Sequence, residues 1–235
     1  RAYLERKTSP IKVAERLISW IENADSPKTS NPFVAFNKDD LFEQARLSTE
    51  RYDTEQSLGP LDGIPIGVKD ELDQAGYCTT VGTAFLGASE AVEDATAVGR
   101  LRSAGAMLIG KLKMHEIGIG VTGINPNHGS ARNPYDRQRM TGGSSSGSGA
   151  AVAAGICPIA IGADGGGSIR IPAALCGVVG LKPTFGRVSE AGAAPLCWSV
   201  AHVGPMGFSV ADVASAYTIM SGLDPKDLNT RFQPR

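Results

Sequence analysis

Apolar residues recur every three or four positions in several stretches of the chain, a spacing that places them on one face of an α-helix. The first stretch begins at Ser9-Pro10, a capping residue followed by proline, and continues to about Asn23. Polar and turn-forming residues over 24–38 then predict a loop. In all, the pattern predicts six helices, over residues 10–23, 39–52 (capped by Asp39 or Asp40), 94–102, 145–154, 169–175 and 210–220 (capped by Ser209).

Continuous apolar runs between these helices predict four short buried strands, over residues 64–70, 106–110, 156–161 and 178–182. The first run contains Pro65 near its start, a position that a strand tolerates. Residues 113–140 lack a sustained pattern and predict mostly loop. Because helices alternate with strands, we expect an α/β fold with a mixed β-sheet core flanked by helices.

The balance of charge and the cysteine content narrow the class of protein. The 235 residues carry 23 Lys and Arg against 24 Asp and Glu, so nothing favours nucleic acid or an acidic substrate as a partner. The four cysteines form no CxxC pair, which is typical of reduced thiols in a cytosolic protein. We recognise no signal peptide, and the charge-free segment 141–163 holds serines, glycines and Pro158 that make it a poor membrane span.

The stretch from Thr141 to Arg187 carries the candidate chemistry. Four serines lie among glycines, an alanine-rich run follows, and a second glycine cluster ends at Ser168. Glycine has no Cβ, so a glycine-rich loop lets several backbone N–H groups point at one place, where they stabilise a developing oxyanion. Ser168 is therefore a candidate nucleophile for acyl transfer, although a serine after glycines is more often a turn or helix-capping residue.

Several long motifs, in this order, resemble the amidase signature family of serine hydrolases. The matching segments are GPLDGIPIGVKD (59–70), GKLKMHEIGIGVTGINPNHGSARNP (110–134), GGSSSGSGAAVAAG (142–155) and GADGGGSIRIPAALCGVVGLKPTFGRVS (162–189). The triple glycine before Ser168 and the MHEIGIG run are most similar to the plant-type fatty acid amide hydrolases of that family. The resemblance covers roughly Leu41 to Gly222.

The resemblance implies a role for each part of these motifs. The family's catalytic lysine falls on Lys69, its bridging serine on Ser144, and its acyl-enzyme nucleophile on Ser168. Without the resemblance, a lysine at the end of an apolar strand would be expected to extend its ammonium into water. Such a Ser-Ser-Lys site requires no metal and no organic cofactor. The family places the oxyanion hole at the backbone amides of Gly165, Gly166, Gly167 and Ser168.

On the same resemblance, we expect an amidase signature fold of which this chain is a part. Residues 1–38 would form an N-terminal helical segment and loop, and residues 39–235 the N-terminal part of the catalytic domain. The chain lacks an initiating Met and family members continue well beyond the equivalent of Gly222, so we expect an internal fragment.

The implied activity is hydrolysis of fatty acid amides such as N-acylethanolamines, with this small lipid amide as the partner and no nucleic acid. The expected location is the cytoplasm or the surface of a membrane, such as the endoplasmic reticulum or plasma membrane, rather than outside the cell. A homodimer and a peripheral attachment to the membrane stay open.

Three other interpretations also stay open. The glutaminase-type amidotransferase subunit, which releases ammonia for misacylated tRNA, shares the triad, although Gly165 stands where that subunit usually carries Thr. The segment GSSSG at 143–147 fits the GxSxG elbow of an α/β-hydrolase esterase, with Ser145 as nucleophile and Asp164 and His202 in the required order. The third is an inactive fragment that carries the site residues without turnover.

Overall fold

A computed structural model describes residues 1–22 and 30–232 of the chain, and six helices and six strands occur within these residues. The helices are α1 (Pro10–Glu22), α2 (Lys38–Asp53), α3 (Thr96–Ser103), α4 (Ser146–Ala153), α5 (Arg170–Cys176) and α6 (Val210–Met220). The strands are β1 (Phe33–Ala35), β2 (Pro65–Lys69), β3 (Met107–Leu112), β4 (Ile159–Ala163), β5 (Val179–Gly180) and β6 (Val203–Gly207). Short 3₁₀ turns cover Glu116–Gly118 and Leu228–Phe232.

The strands form one mixed sheet in the order β1-β3-β2-β4-β6-β5. Strand β2 pairs in parallel with β3 on one side and with β4 on the other. Antiparallel pairing adds β1 to β3, β6 to β4 and β5 to β6. The α/β class with a mixed sheet, predicted from the sequence, is confirmed.

Helices cover both faces of the sheet because its central strands are apolar on both sides. On one face, Ile66 and Val68 of β2 and Ile161 of β4 pack with α3 and α6. On the other face, Met107 and Ile109 of β3 pack with α1, α2 and α4. Every residue of β2 and β4 is buried. The ends of these two strands therefore offer fixed points from which functional side chains can extend.

Local hydrogen bonds set where two of the helices begin. Ser209 caps α6 as predicted, because its hydroxyl accepts from the N–H of Asp212 while the Asp212 carboxylate accepts from the N–H of Ser209. Helix α2 begins earlier than predicted. Its cap is Asn37, whose side-chain oxygen accepts from the N–H groups of Asp39 and Asp40. The two aspartates lie instead in the first turn, where negative charge favours the helix.

The structure corrects the sequence prediction at three strands. Strand β1 lies inside the segment predicted as a loop, and β6 lies where the apolar pattern predicts no element. Strand β4 covers Ile159–Ala163 rather than residues 156–161. Asn23, the predicted end of the first helix, and residues 24–29 of the predicted loop lie outside the described residues.

The charge-free segment 141–163 divides into a loop, the eight-residue helix α4 and strand β4. Helix α4 consists of serine, glycine, alanine and valine, and most of its residues are buried against the sheet. Among residues 1–22 and 30–232, no helix is both long and apolar enough to cross a lipid bilayer.

Candidate active site

Lys69 ends the central strand β2 with a fully buried side chain. Its Nζ lies 2.8 Å from the Oγ of Ser144, 3.3 Å from the carbonyl oxygen of Ala163 and 2.5 Å from the Oε2 of Glu71. A lysine that extended its ammonium into water would make none of these contacts. The amine is therefore held inside the protein, at hydrogen-bonding distance from a serine hydroxyl.

The sheet topology explains how these distant residues meet. Strands β2 and β4 are adjacent and parallel, with Val68 opposite Ile161, so their carboxyl ends share one edge of the sheet. In α/β proteins, ligands bind at such edges. Lys69 ends one strand, Ala163 ends the other, and the second glycine cluster follows directly. The edge thus gathers the lysine and the loop that ends at Ser168.

One serine in the 144–148 segment differs from the others in what its hydroxyl contacts. Ser144 follows a cis peptide bond and contacts the side chain of Lys69. The other three hydroxyls donate to main-chain carbonyls and fasten this segment to β4 and to the residue after β3: Ser145 to Ala163, Ser146 to Lys113 and Ser148 to Ile161. The four serines look interchangeable in the sequence, but their hydroxyls make different contacts in the structure.

Ser168 lines a cleft of about 230 Å³, and the buried residues Lys69 and Ser144 also belong to its wall. The residue is 8% exposed. Its carbonyl oxygen accepts a hydrogen bond of 3.1 Å from the N–H of Ser145, which ties the loop of Ser168 to the serine segment. The lysine and the two serines predicted from the sequence therefore share one cleft.

The rest of the cleft wall is mostly apolar. It is formed chiefly by Ile117, Ile119, Leu196, Val200 and Ala201, together with the thiol-bearing Cys197. An apolar wall beside a few convergent polar groups is the usual composition of a small-molecule site. The arrangement offers a hydroxyl for chemistry and an apolar surface for the remainder of a ligand.

Asp164 organises the glycine loop that leads to Ser168. Its buried carboxylate accepts from the backbone N–H groups of Gly167 (2.7 Å), Ile169 (3.1 Å) and Arg170 (3.3 Å). The Arg170 guanidinium adds two further bonds of 2.9 Å. Burial raises the pKa of the Asp164 carboxyl, but the bonds from Arg170 and the amides outweigh burial and bring this pKa down to about 2. The loop conformation therefore depends on one ionised aspartate.

The amides of this loop divide into two groups. The N–H of Gly167 is already bonded to Asp164, and Gly167 has a φ of +133°, a region that favours glycine. In the described part of the chain, the N–H groups of Gly165, Gly166 and Ser168 donate to no protein acceptor. Gly165 and Gly166 line the cleft, whereas Gly167 does not. Three of the four amides predicted to form an oxyanion hole are thus available to a ligand.

The geometry does not favour the α/β-hydrolase interpretation. Ser145 is fully buried and its hydroxyl is bonded to the main chain. Asp164 pairs with Arg170 rather than with a histidine, and the Nδ1 of His202 lies 2.7 Å from the carbonyl oxygen of Val200. Strand β3, which precedes this serine, does not lead directly into it as a nucleophile elbow requires.

Glu71 was missed by the sequence reasoning. It is buried, and its Oε2 lies 2.5 Å from the Nζ of Lys69. The chain turns after β2, with the N–H of Leu72 donating to the carbonyl of Lys69 at 3.1 Å. The main-chain carbonyl of Glu71 also accepts from the N–H of Ala194 at 2.8 Å. A glutamate two residues after a lysine carries no recognisable signal, because only this turn brings the two side chains together.

Comparison with known proteins identifies the family of the chain. The family described as Amidase matches residues 13–234. Over 228 residues, the chain is 46% identical to fatty acid amide hydrolase from Oryza sativa subsp. indica, with 96% of this chain and 38% of that protein covered. It is 44% identical to a glutamyl-tRNA(Gln) amidotransferase subunit from Symbiobacterium thermophilum, with 97% and 46% covered.

Among solved structures, native peptide amidase from Stenotrophomonas maltophilia superposes with a TM-score of 0.94 at 35% sequence identity. The superposition covers 99% of this chain and 49% of that one. The shared fold therefore extends through nearly all of the present chain, which spans less than half the length of each of these three relatives.

Proposed function

The chain belongs to the amidase family, and from that premise we propose that it is a serine amidase that uses Lys69, Ser144 and Ser168. The proposed substrates are fatty acid amides such as N-acylethanolamines. Since the chain spans 38% of the length of the rice fatty acid amide hydrolase, the proposal rests on the residues that this chain contains.

One observation carries the proposal. The Lys69 Nζ and the Ser144 Oγ are 2.8 Å apart in a buried position, at the end of a cleft that also contains Ser168. A lysine acts as a base through the lone pair of its neutral amine, and the Ser144 hydroxyl lies where it can give a proton to that amine. An amine in contact with a hydroxyl beside a second serine is the arrangement that a proton relay needs.

In the proposed acylation step, neutral Lys69 takes a proton from the hydroxyl of Ser144 while Ser144 takes one from Ser168. The Oγ of Ser168 then attacks the amide carbonyl carbon, and the carbonyl oxygen becomes an oxyanion. When this intermediate collapses, the C–N bond breaks and the proton on Lys69 returns through Ser144 to the departing amine. Ser144 suits this relay because a hydroxyl donates one proton while it accepts another.

The amides of Gly165, Gly166 and Ser168 are assigned to the oxyanion, since their N–H groups are available. Each such donor lowers the barrier by about 3 kcal/mol. In deacylation, water loses a proton through Ser144 to Lys69 and attacks the acyl carbon. The bond to Ser168 breaks, its Oγ recovers the proton, and the carboxylic acid is released.

The proposed substrate class draws support from the cleft wall. Ile117, Ile119, Leu196 and Val200 present apolar surface next to Ser168. Burial of apolar substrate surface contributes roughly 25 cal/mol per Å². An acyl chain would gain from this wall, whereas a polar acyl group such as that of glutamine would not.

Two variants test the catalytic assignment. Lys69→Ala should abolish hydrolysis of acyl amides, while His202→Ala should retain most of it, because no step passes through the histidine. The reverse result would favour the α/β-hydrolase interpretation. A fluorophosphonate probe should label Ser168 and no other serine, and peptide mapping of the label onto Ser145 would overturn the assignment.

A substrate panel tests the acyl specificity separately. It should contain acyl amides of varied chain length and head group, together with glutamine. Release of ammonia from glutamine without hydrolysis of any acyl amide would replace the fatty acid amide class by the glutaminase class. The triad would then be retained and the substrate class abandoned.

A further inference from the structure

Glu71 has no role in the proton relay proposed above. Its carboxylate nevertheless makes the shortest of the three contacts around the Lys69 amine, at 2.5 Å, compared with 2.8 Å for Ser144 and 3.3 Å for Ala163. The side chains of Lys69 and Glu71 are only 1% and 4% exposed. A buried carboxylate is tolerated when an opposite charge or a hydrogen-bond donor balances it. The lysine supplies that balance, so the two residues form one unit.

The three contacts match what an amine needs in order to act as a base. A neutral amine has two N–H bonds and one lone pair. The Ala163 carbonyl can only accept, so it faces an N–H of the lysine. The Glu71 Oε2 lies 2.5 Å from the Nζ as a charge contact and takes part in no hydrogen bond among the described residues. The Ser144 hydroxyl lies 2.8 Å from the Nζ and can give its proton to the lone pair. Without Glu71, no negative charge would hold the amine beside this hydroxyl.

We propose that Glu71 is the positioning residue of Lys69. Its carboxylate lies 2.5 Å from the amine and holds the Nζ beside Ser144 by charge, and its negative charge stabilises the ammonium that forms when Lys69 takes the proton. The inference rests on the proposed function, because it assigns a role within the same relay. The carboxylate of a Ser-His-Asp triad has a comparable role, because it orients the base and stabilises its charged form.

The charged groups that the structure places around Glu71 are Lys69, Glu190 and, beside Glu190, Asp227. Burial raises the pKa of Glu190 to about 7, with the negative charges of Asp227 and Glu71 adding to the effect. The N–H of Glu190 donates to the Asp227 carboxylate at 2.9 Å. Glu190 thus takes up a proton near neutral pH, and Glu71 is the carboxylate in contact with the lysine.

The test measures how fast a fluorophosphonate labels Ser168 across a range of pH, because labelling needs an activated nucleophile but no particular acyl group. Glu71→Gln should lower the plateau rate by about 100-fold, as expected when a general base is no longer well placed. It should also move the acid limb of the profile to lower pH, since the ammonium has lost its counter-charge. Glu71→Asp, which keeps the charge on a shorter side chain, should return the acid limb toward its original position.

Two matched variants control for the loss of a carboxylate. Glu93→Gln removes an ion pair with Lys226 on the surface, where both side chains are more than half exposed, and should leave the rate and the acid limb unchanged. Glu190→Gln removes the nearby carboxylate of Glu190 but keeps the direct contact between Glu71 and Lys69. If it moves the acid limb as far as Glu71→Gln does, the proposal is overturned. Circular dichroism shows whether each variant folds. If Glu71→Gln does not fold, the acid limb measured for Glu71→Asp decides the question.

The outcomes separate this inference from the function on which it rests. Suppose that Lys69→Ala is not labelled, whereas Glu71→Gln is labelled normally or loses rate equally at every pH. The role of Glu71 is then wrong and the proposed function stands, because a purely structural defect does not move the acid limb. Normal labelling of Lys69→Ala would instead overturn the proposed function.

Discussion

Replacing Gly167 with alanine tests whether the direction of the loop amides activates Ser168. Gly167 has a φ of +133°, and an added Cβ would lie 2.7 Å from Cδ1 and 3.0 Å from Cγ1 of Ile171 in α5. A left-handed backbone conformation costs an L residue roughly 1–2 kcal/mol, and the Ile171 side chain must also move. We expect Gly167→Ala to lower the free energy of unfolding by about 2 kcal/mol.

The same substitution should impair the chemistry, because the N–H of Ser168 belongs to the peptide group that follows Gly167. A change of backbone conformation at Gly167 turns this N–H away from the cleft. Loss of one oxyanion donor raises the barrier by about 3 kcal/mol, which corresponds to a roughly 100-fold slower reaction. The rate of fluorophosphonate labelling of Ser168 measures this effect, and denaturant unfolding measures the stability.

Gly166 provides the matched control. An added Cβ there meets no heavy atom of the described residues within 4 Å, and the φ of Gly166 lies outside the left-handed region. Gly166→Ala should change the free energy of unfolding by less than about 0.5 kcal/mol. Its labelling rate should fall by less than about tenfold, because no amide is turned. Equal losses in the two variants, or a normal labelling rate for Gly167→Ala, would refute the reasoning.

Two further predictions concern Asp164 and Cys197. The pKa of Asp164 is about 2, below its ordinary value, so its ionised form adds stability that is present above the ordinary pKa and is lost as the pH falls toward 2. Asp164→Asn should therefore be less stable than the unsubstituted chain near neutral pH, and the difference should shrink in acid; a difference independent of pH contradicts this. Cys197 is exposed and lines the cleft, whereas Cys157 and Cys176 are buried. N-ethylmaleimide should block fluorophosphonate labelling of Ser168 in the unsubstituted chain but not in Cys197→Ala. Equal inhibition of the two proteins would place the sensitive thiol elsewhere.

The sequence predicted the elements that local residues determine. Ser209 and Asp212 form a capping box within four residues, so the start of α6 can be read from neighbouring positions. The apolar runs that form β2 and β3 are buried on both faces and read clearly as strands. The shared cleft of Lys69 and the two serines was expected only because their motifs resemble a known family.

What the sequence could not predict depends on partners far along the chain. Strand β6 contains two glycines and Pro205, residues that weaken a strand signal, and it is held by pairing with β4 on one side and β5 on the other. Strand β1 is only three residues long and exists through its pairing with β3. The contact of Glu71 with Lys69 likewise depends on a turn that local propensity does not specify.

The hydrogen bond between Lys69 and Ser144 joins residues 75 positions apart in the chain, and the one between Lys69 and Ala163 spans 94 positions. Contacts with such large sequence separation must overcome the entropy of closing long loops, so they form after the local helices during folding. In a newly made or partly unfolded chain, Ser168 is therefore separated from Lys69. On the proposed function, such a chain would hydrolyse no amide until the sheet is complete.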